Sequence, residues 1–387
     1  MPVDLLKNKK IVLVSTVPYF MVTQLSFQIQ YFASLGMDIT VITSEGKELL
    51  ELPQGDHIHV ITINIPRKLE PWGDFKALLK LIDIFKKESF DILHSFTPKA
   101  GLLCAVAGWV AKIPLRFHTF TGQPWVTRKG FMRSMMRFSD RLIVQLMRHC
   151  YADSHSQCDF LIAEGIGDLS SISVIGRGSL GGVDTQRFSR SSVAERMNRK
   201  CKDNLDVADA SCIYVYIGRM TVDKGLGELL SAFEHLYGDD PKVHLLLIGP
   251  VDDDGKKLME QAKQQGNVHC LGYQEEPEHF LLIADVLCLP SYREGFGTVV
   301  IEAAAMGVPC IGSHIPGLVD AVENEVTGIL IPVKDSESLY EAMRELSNDE
   351  QLRKKMGEAA HIRAVNWYDS KLMSESWESE YIRWFKS

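Results

Sequence analysis

Glu294 and Glu302 stand with seven residues between them, and the stretch they bracket reads G-F-G-T-V-V-I. A carboxylate can accept hydrogen bonds from two neighbouring hydroxyls at once, the groups that a ribose and a hexose both present. The run from Asp285 to Pro290 has the pattern of a buried strand; Gly295 to Gly297 cannot continue it; Thr298 to Met306 has helical composition and stops at Gly307. A strand, a glycine turn and a helix leave the first helical amides unpartnered at the positive end of the helix dipole, so a pyrophosphate can sit there without a metal. Upstream, Arg219 and Lys224 occupy the loop G-R-M-T-V-D-K-G between an apolar strand (Cys212 to Ile217) and a helix that opens at Leu226. Two fixed cations at a strand end suit the same diphosphate. Taken singly, a Glu on an Ala-rich helix and cations in a loop read as solvated surface; the glycine turn between the glutamates favours binding.

The string E-G-F-G-T-V-V-I-E-A-A-A-M-G-V-P-C-I, followed by I-P-G-L-V-D-A-V and T-G-I-L-I-P, resembles the donor-site signature of the family 4 glycosyltransferases. The likeness continues through Y-I-G-R-M-T-V-D-K-G and L-L-L-I-G-P, covering the second half closely and the first half more loosely. It implies an α/β chain of the GT-B fold, two Rossmann-like doubly wound domains facing across a cleft, and retaining transfer from a nucleoside-diphosphate sugar. On that resemblance Arg219 and Lys224 hold the pyrophosphate, Glu302 the ribose hydroxyls and Glu294 a hexose hydroxyl near the anomeric carbon. Gly295, Phe296, Gly297, Thr298 and Val299 line the donor, and Tyr273, at the end of the strand Val268 to Tyr273, lies where relatives hold the base. Many relatives carry a glycine-rich loop after the first strand. Here the segment is S-T-V-P-Y-F-M-V-T-Q, and the bulk of Pro18, Tyr19 and Phe20 argues against a phosphate role.

In the first half, H-T-F-T-G-Q-P-W-V-T-R-K-G follows a strand and offers sugar-binding groups in His118, Thr121, Gln123 and Trp125. The position of His118 resembles that of a histidine near the reacting centre in some relatives, although a lone His at a strand end also serves as a structural hydrogen-bonder. From Arg128 to Arg148 six cations stand against one acid, Asp140, interleaved with Phe131, Met132, Met135, Met136 and Phe138. Arg133, Arg137 and Arg141 recur every four residues and form one ridge if the stretch is helical. Such a helix could lie on an anionic membrane surface; the other reading is a domain helix with an apolar core face and a solvated Arg side.

These residues need two domains to carry them, and 387 residues are too many for one ordinary core. Strands at Lys9 to Val17, Asp38 to Thr43, Ile58 to Ile63, Asp91 to Ser95, Leu115 to Thr119 and Cys150 to Asp153 alternate with helical stretches, one of them Gln24 to Leu35, which implies a parallel sheet. Ligands of such sheets gather at the carboxyl ends of the strands. The boundaries expected are an acceptor-binding domain over 1–180, a glycine-rich crossing at Ile175 to Asp184, a donor domain over 184–364, and an aromatic amphipathic helix over 365–387 that returns to the first domain. Residues 1 to 180 carry 20 Lys plus Arg against 16 Asp plus Glu and the remainder 22 against 34, so the net charge of -8 hides a first half at +4 and a second at -12. An acidic chain without a dense basic footprint excludes nucleic acid as a partner.

Eight scattered cysteines (104, 150, 158, 201, 212, 270, 288, 310) without a C-x-x-C pattern read as reduced core residues rather than disulfides or zinc ligands. The D-x-D spacing of Asp252 and Asp254 is that of a metal site in another glycosyltransferase fold, but a helix follows directly, and Asp253 or Asp254 is better read as its N-cap. No metal or other cofactor is expected. No apolar run has the length of a membrane span, and Met1 to Lys10 lacks a leader's apolar core, so a cytoplasmic protein, peripheral at the inner face of the cytoplasmic membrane, is expected. The resemblance implies, from what is frequent in the family alone, a UDP-hexose or UDP-N-acetylhexosamine donor; the acceptor favoured is a polyprenyl-diphosphate-linked glycan, because of the basic stretch and because T-P-K-A-G-L-L and H-T-F-T-G-Q-P-W resemble surface-polysaccharide and glycan-assembly members. A transferase with a soluble acceptor, a UDP-N-acetylglucosamine 2-epimerase and a non-catalytic nucleotide-sugar-binding protein are the rivals.

Overall fold

The computed structural model describes residues 5–66, 70–196, 205, 207 and 209–387; Cys201 and the first four residues of the Met1 to Lys10 stretch lie outside the described residues. The chain divides into two compact units, Met1–Gly182 with Ser370–Ser387, and Val183–Asp369.

In the first unit, strands β1 (Lys10–Val14), β2 (Asp38–Thr43), β3 (Ile58–Thr62), β4 (Ile92–Ser95), β5 (Leu115–Phe120), β6 (His149–Ala152) and β7 (Ile172–Ser173) form one sheet in the order β3-β2-β1-β4-β5-β6-β7. Every pairing is parallel. Alternation sends Val12 and Val14 to one face and Ile11 and Leu13 to the other, and each face has its own apolar cluster, as both must be covered. The Val12 face is covered by α2 (Pro71–Glu88), α3 (Pro98–Val110) and α4 (Gly130–Leu146), which pack side by side. The Ile11 face is covered by α1 (Ser26–Ser34) and the last helix, α11 (Ser370–Lys386), which delivers Trp377, Tyr381 and Ile382 to that cluster. His94 of β4 fixes α11 in place. Its Nδ1 lies 2.7 Å from the Tyr381 hydroxyl and its Nε2 2.8 Å from Thr119 Oγ1, and the Trp377 indole N–H donates to the Leu180 carbonyl at 3.0 Å.

The segment after β1, read as a bulky loop, is helical: Pro18 opens a short turn to Phe20, and a π-helical turn, Met21–Leu25, leads into α1. Proline at a first helical position needs no amide partner, which the sequence reading overlooked. Strand β7 was also missed, being two residues long and without a periodic pattern.

The second unit pairs β8 (Cys212–Ile217), β9 (Val243–Ile248), β10 (Val268–Gly272), β11 (Val286–Leu289), β12 (Cys310–Ser313) and β13 (Gly328–Ile331) in the order β10-β9-β8-β11-β12-β13, again all parallel. The chain order reverses between β8 and β11, the switch point at which such sheets leave a crevice for ligands. Seven of the cysteines are free, all buried except the half-buried Cys270, and burial pushes the Cys212 thiol up to about 12.

Candidate functional site

Both loops at the switch point of the second unit carry the residues singled out in the sequence. After β8, Tyr216 donates its hydroxyl to the Arg219 carbonyl at 2.7 Å, and the Arg219 guanidinium reaches Asp252 Oδ2 at 2.7 Å with both side chains about half exposed. Lys224 closes a 3-10 turn, and its Nζ donates to Glu294 Oε1 in a pair that is largely shielded from solvent. Ser291 donates to the same oxygen at 2.8 Å. Both bonds to Glu294 therefore fall on Oε1, and among the described residues none falls on Oε2.

The two loops are sewn together by backbone as well as side chains. The Tyr292 amide donates to the Asp223 carbonyl at 2.9 Å, Arg293 pairs with Asp223 at 2.9 Å, and Gly225 sits so close to β11 that a Cβ there would lie 2.0 Å from the Pro290 carbonyl oxygen. Only glycine fits that approach.

Beyond the glycine turn, α8 (Thr298–Ala305) starts from Gly297, whose φ of +86° favours glycine and which has no side chain to cap the first amides. The loop at Gly317 is pressed against this turn: a Cβ there would lie 2.5 Å from the Gly295 carbonyl oxygen. Glu302 lies one turn into α8. Burial pushes its carboxyl up to about 7; Arg187 pulls it down and Glu278 adds to the rise. Arg187 grips Glu278 with two bonds, 2.8 and 2.9 Å, and Glu278 is almost wholly buried. Neither residue was found from sequence, because no spacing ties either one to Glu302.

Among the remaining donor-side positions, Tyr273 is half exposed just after β10 and Val299 is partly buried against the core. Phe296 needs a correction. Its ring is buried, 5.1 Å from that of Tyr368, so only its backbone is available to a ligand. A second correction concerns α7 (Lys256–Ala262): its cap position is Gly255, Asp252 is engaged by Arg219, and Asp253 pairs with Lys256, so neither Asp253 nor Asp254 caps the helix. Among the described residues no group of three or more His, Cys, Asp or Glu is arranged to hold a metal ion.

In the first unit, His118 points into the protein at the end of β5. It is 1% exposed, its Nδ1 lies 3.0 Å from Ser95 Oγ, and a Cβ on Gly101 of α3 would meet its ring at 2.4 Å. Burial lowers its pKa to about 3, so the imidazole is neutral at physiological pH and a weak base. Thr97, which caps α3, holds φ at +57°, a conformation costing a β-branched residue on the order of 1–3 kcal/mol. Its Oγ1 accepts from the Thr16 amide at 3.2 Å. Thr121 is partly buried, and Gln123 is buried and bonded to Gln157.

Two expectations fail here. Trp125 is not an open platform for a sugar: it is 1% exposed, donates to Asp140 Oδ2 at 2.7 Å and stacks on Phe160. The arginine ridge exists on α4, but its guanidinium groups are engaged within the unit. Arg133 and Arg137 pair with Glu164, Arg137 also donates to the Glu164 carbonyl, and Arg141 donates to the Gly165 carbonyl at 2.7 Å. Glu164 and Gly165 terminate α5 (His155–Ala163), whose last carbonyls lack intrahelical partners and form the negative end of its dipole. A fork of guanidinium donors suits them, and the charge is consumed within the unit. Large apolar side chains are exposed on this side: Trp72, Phe75 and Leu79 on α2, and Phe131, Met132 and Phe138 on α4. Among the described residues no helix is long and apolar enough to cross a membrane.

Comparison with known proteins bears on the whole chain. The family described as glycosyl transferases group 1 matches residues 199–363, and the glycosyl transferase 4-like family matches residues 10–145. The capsular polysaccharide biosynthesis glycosyltransferase CapM of Staphylococcus aureus is 30% identical, covering 98% of this chain and 99% of its own. An Escherichia coli enzyme named UDP-Gal:alpha-D-GlcNAc-diphosphoundecaprenol alpha-1,3-galactosyltransferase is 24% identical over 81% of each chain. Among solved structures, HepE of Anabaena in complex with UDP is 20% identical with a TM-score of 0.75, covering 96% of this chain and 99% of its own. The fold, the glycine-opened helix flanked by paired cations and carboxylates, and the end-to-end match to CapM agree: the chain is a glycosyltransferase of the group 1, family 4 class, with the GT-B fold.

Proposed function

We propose that this glycosyltransferase moves a hexose or N-acetylhexosamine from a UDP-sugar to a polyprenyl-diphosphate-linked glycan, with retention and without a metal. The observation that carries the reading is the cluster of Lys224, Glu294 and Ser291 beside the glycine-opened start of α8, with Arg219 at the adjoining strand end. Each cation is held by a carboxylate that an incoming diphosphate can replace. The exchange leaves Glu294 free to accept a hexose hydroxyl and places both cations where negative charge grows as the glycosidic bond breaks, the term that contributes most to such catalysis. Glu302 as a carboxylate accepts the ribose hydroxyls. In the transfer, the bond from the anomeric carbon to the phosphate oxygen breaks, the bond to the acceptor oxygen forms on the same face, and the departing phosphate oxygen takes the acceptor proton. Neutral, weakly basic His118 is a poor competitor for that proton.

The UDP-linked donor is supported by the E. coli relative and the Anabaena complex with UDP, and the lipid-linked acceptor by the diphosphoundecaprenol substrate in the E. coli enzyme's name. A membrane surface is part of the proposal, met by α2 and the start of α4 rather than by the arginine ridge. Trp72, Phe75 and Leu79 are 79%, 51% and 50% exposed along one stripe of α2, and exposed Lys76 and Lys80 run beside it. An apolar stripe flanked by lysines is the pattern of a helix lying on anionic lipid. The test is radiolabel transfer from UDP-glucose, UDP-galactose and their N-acetyl forms to decyl-diphosphate-linked sugars, with EDTA present. Transfer from one UDP-sugar that persists in EDTA, with the anomeric configuration kept, supports the reading. No transfer, or transfer only with added divalent cation, defeats it.

A further inference from the structure

At neighbouring strand ends of the first unit, two buried polar atoms have no hydrogen-bond partner among the described residues: Gln123 Nε2 and Asp153 Oδ1. Gln123 follows β5 and Asp153 follows β6, strands paired through Phe120 and Ala152, so both residues lie at the carboxyl edge of the sheet.

The orientation of Gln123 is dictated by its neighbour. The Asp153 amide donates to Gln157 Oε1 at 3.3 Å, which turns the Gln157 NH2 group toward Gln123, where it donates to Oε1 at 2.9 Å. Reversing the Gln123 amide would set two NH2 groups against each other, so its own NH2 must point away from Gln157. Gln123 is 4% exposed and Gln157 1%. Asp153 meets no compensating cation, and burial alone pushes its carboxyl up to about 7.

A buried donor without an acceptor and a buried acceptor without a donor each cost about 1–3 kcal/mol. A cation would satisfy Asp153 and oppose the Gln123 donor; an anion would satisfy Gln123 and oppose Asp153. A neutral hydroxyl serves both, because it donates through hydrogen and accepts through oxygen. We propose that Asp153 and Gln123 hold one hydroxyl of the acceptor sugar, the hydroxyl donating to Asp153 Oδ1 and accepting from Gln123 Nε2. This rests on the acceptor reading above and assigns it a binding pair that lies wholly in the first unit.

The experiment uses the full chain with decyl-diphosphate-linked α-N-acetylglucosamine and its 3-, 4- and 6-deoxy analogues. One deoxy analogue is expected to raise the acceptor KM of the wild type about tenfold or more, since a site built to bond a hydroxyl rejects the analogue lacking it. In Asp153→Ala the parent acceptor should be about as poor as that analogue, and the two losses should not add. The donor KM should stay within about twofold, a split that damage to the fold would not give. Asp153→Leu and Gln123→Met roughly keep the volume, remove the acceptor and the donor respectively, and should show the same acceptor loss if the alanine variant does not fold. Acceptor KM values within twofold of wild type in Asp153→Leu and Gln123→Met, or fully additive losses with every analogue, would overturn the assignment. No transfer by the wild type to any of these acceptors would defeat the acceptor reading itself and this site with it.

Discussion

The two units use charge in opposite ways. In the second, Arg219 and Lys224 are held by Asp252 and Glu294 on separate loops, pairs that an anion of higher charge can displace. In the first, Arg133, Arg137 and Arg141 are committed to the end of α5, where no ligand need intervene, and the groups left at the strand ends are a neutral imidazole, an amide and an unpaired carboxyl. A cation therefore reads as functional when its partner is a side chain on a separate loop beside a glycine-opened helix. It reads as structural when its partner is a backbone carbonyl that has no other donor.

The sharpest way to break this comparison is to remove one cation from each unit. Lys224→Ala should lower kcat by about 10²–10³ with little change in melting temperature, since the loss falls on charge developed in the transition state. Arg137→Ala should do the reverse, costing about 1–3 kcal/mol of stability through the abandoned Glu164 and its carbonyl. Vesicle flotation of Arg137→Ala should match the wild type, whereas Trp72→Ser with Phe75→Ser should lower it several-fold.

Glu302 gives a pH test of the same contrast. Its folded pKa is raised from 4.5 to about 7, so the neutral form is favoured by burial and the stability it supports is present at acid pH and lost as pH rises through about 7. Ribose binding needs the carboxylate, so affinity for a UDP-sugar, whose diphosphate diester does not titrate in this range, should weaken up to about tenfold per unit below pH 7 and level off above it. Calorimetry across pH 5.5 to 8.5 checks this, and Glu302→Gln should flatten the curve. His118→Asn should show no added pH dependence near neutrality, because the imidazole stays neutral over that range.

A buried-ring change gives a smaller effect. Phe296→Leu should cost about 1 kcal/mol in denaturant unfolding and leave the donor KM unchanged, because the ring serves the core beside Tyr368.

The sequence disclosed the second unit more fully than the first for a physical reason. A phosphate site is built from local backbone, and the glycines at 295 and 297, the helix after them and the cations after β8 each leave a contiguous pattern. Glu278 and Arg187 left none, since their pairing joins distant segments. In the first unit the regular spacing of Arg133, Arg137 and Arg141 was legible, but spacing fixes only a common face, not what that face meets, and here it meets a helix end. Trp125 misled for a related reason: an indole in a polar string can bind a sugar or, as here, satisfy a buried Asp140. The longer strands and their parallel pairing followed from apolar runs alternating with helical stretches, while the strand order had to come from the structure. The short strands β7, β12 and β13 and the helical start at Pro18 had too little pattern to be read as such.

The closing helix α11 gives the order of synthesis a meaning. A nascent chain has made all seven strands of the first sheet by Ser173 and yet cannot cover the face that holds Ile11, Phe117 and Tyr151 until Trp377 and Tyr381 emerge from the ribosome. The second unit, contiguous from Val183 to Asp369, can finish folding first. The first unit therefore waits with an aromatic face open until residues that follow the whole second unit have been made.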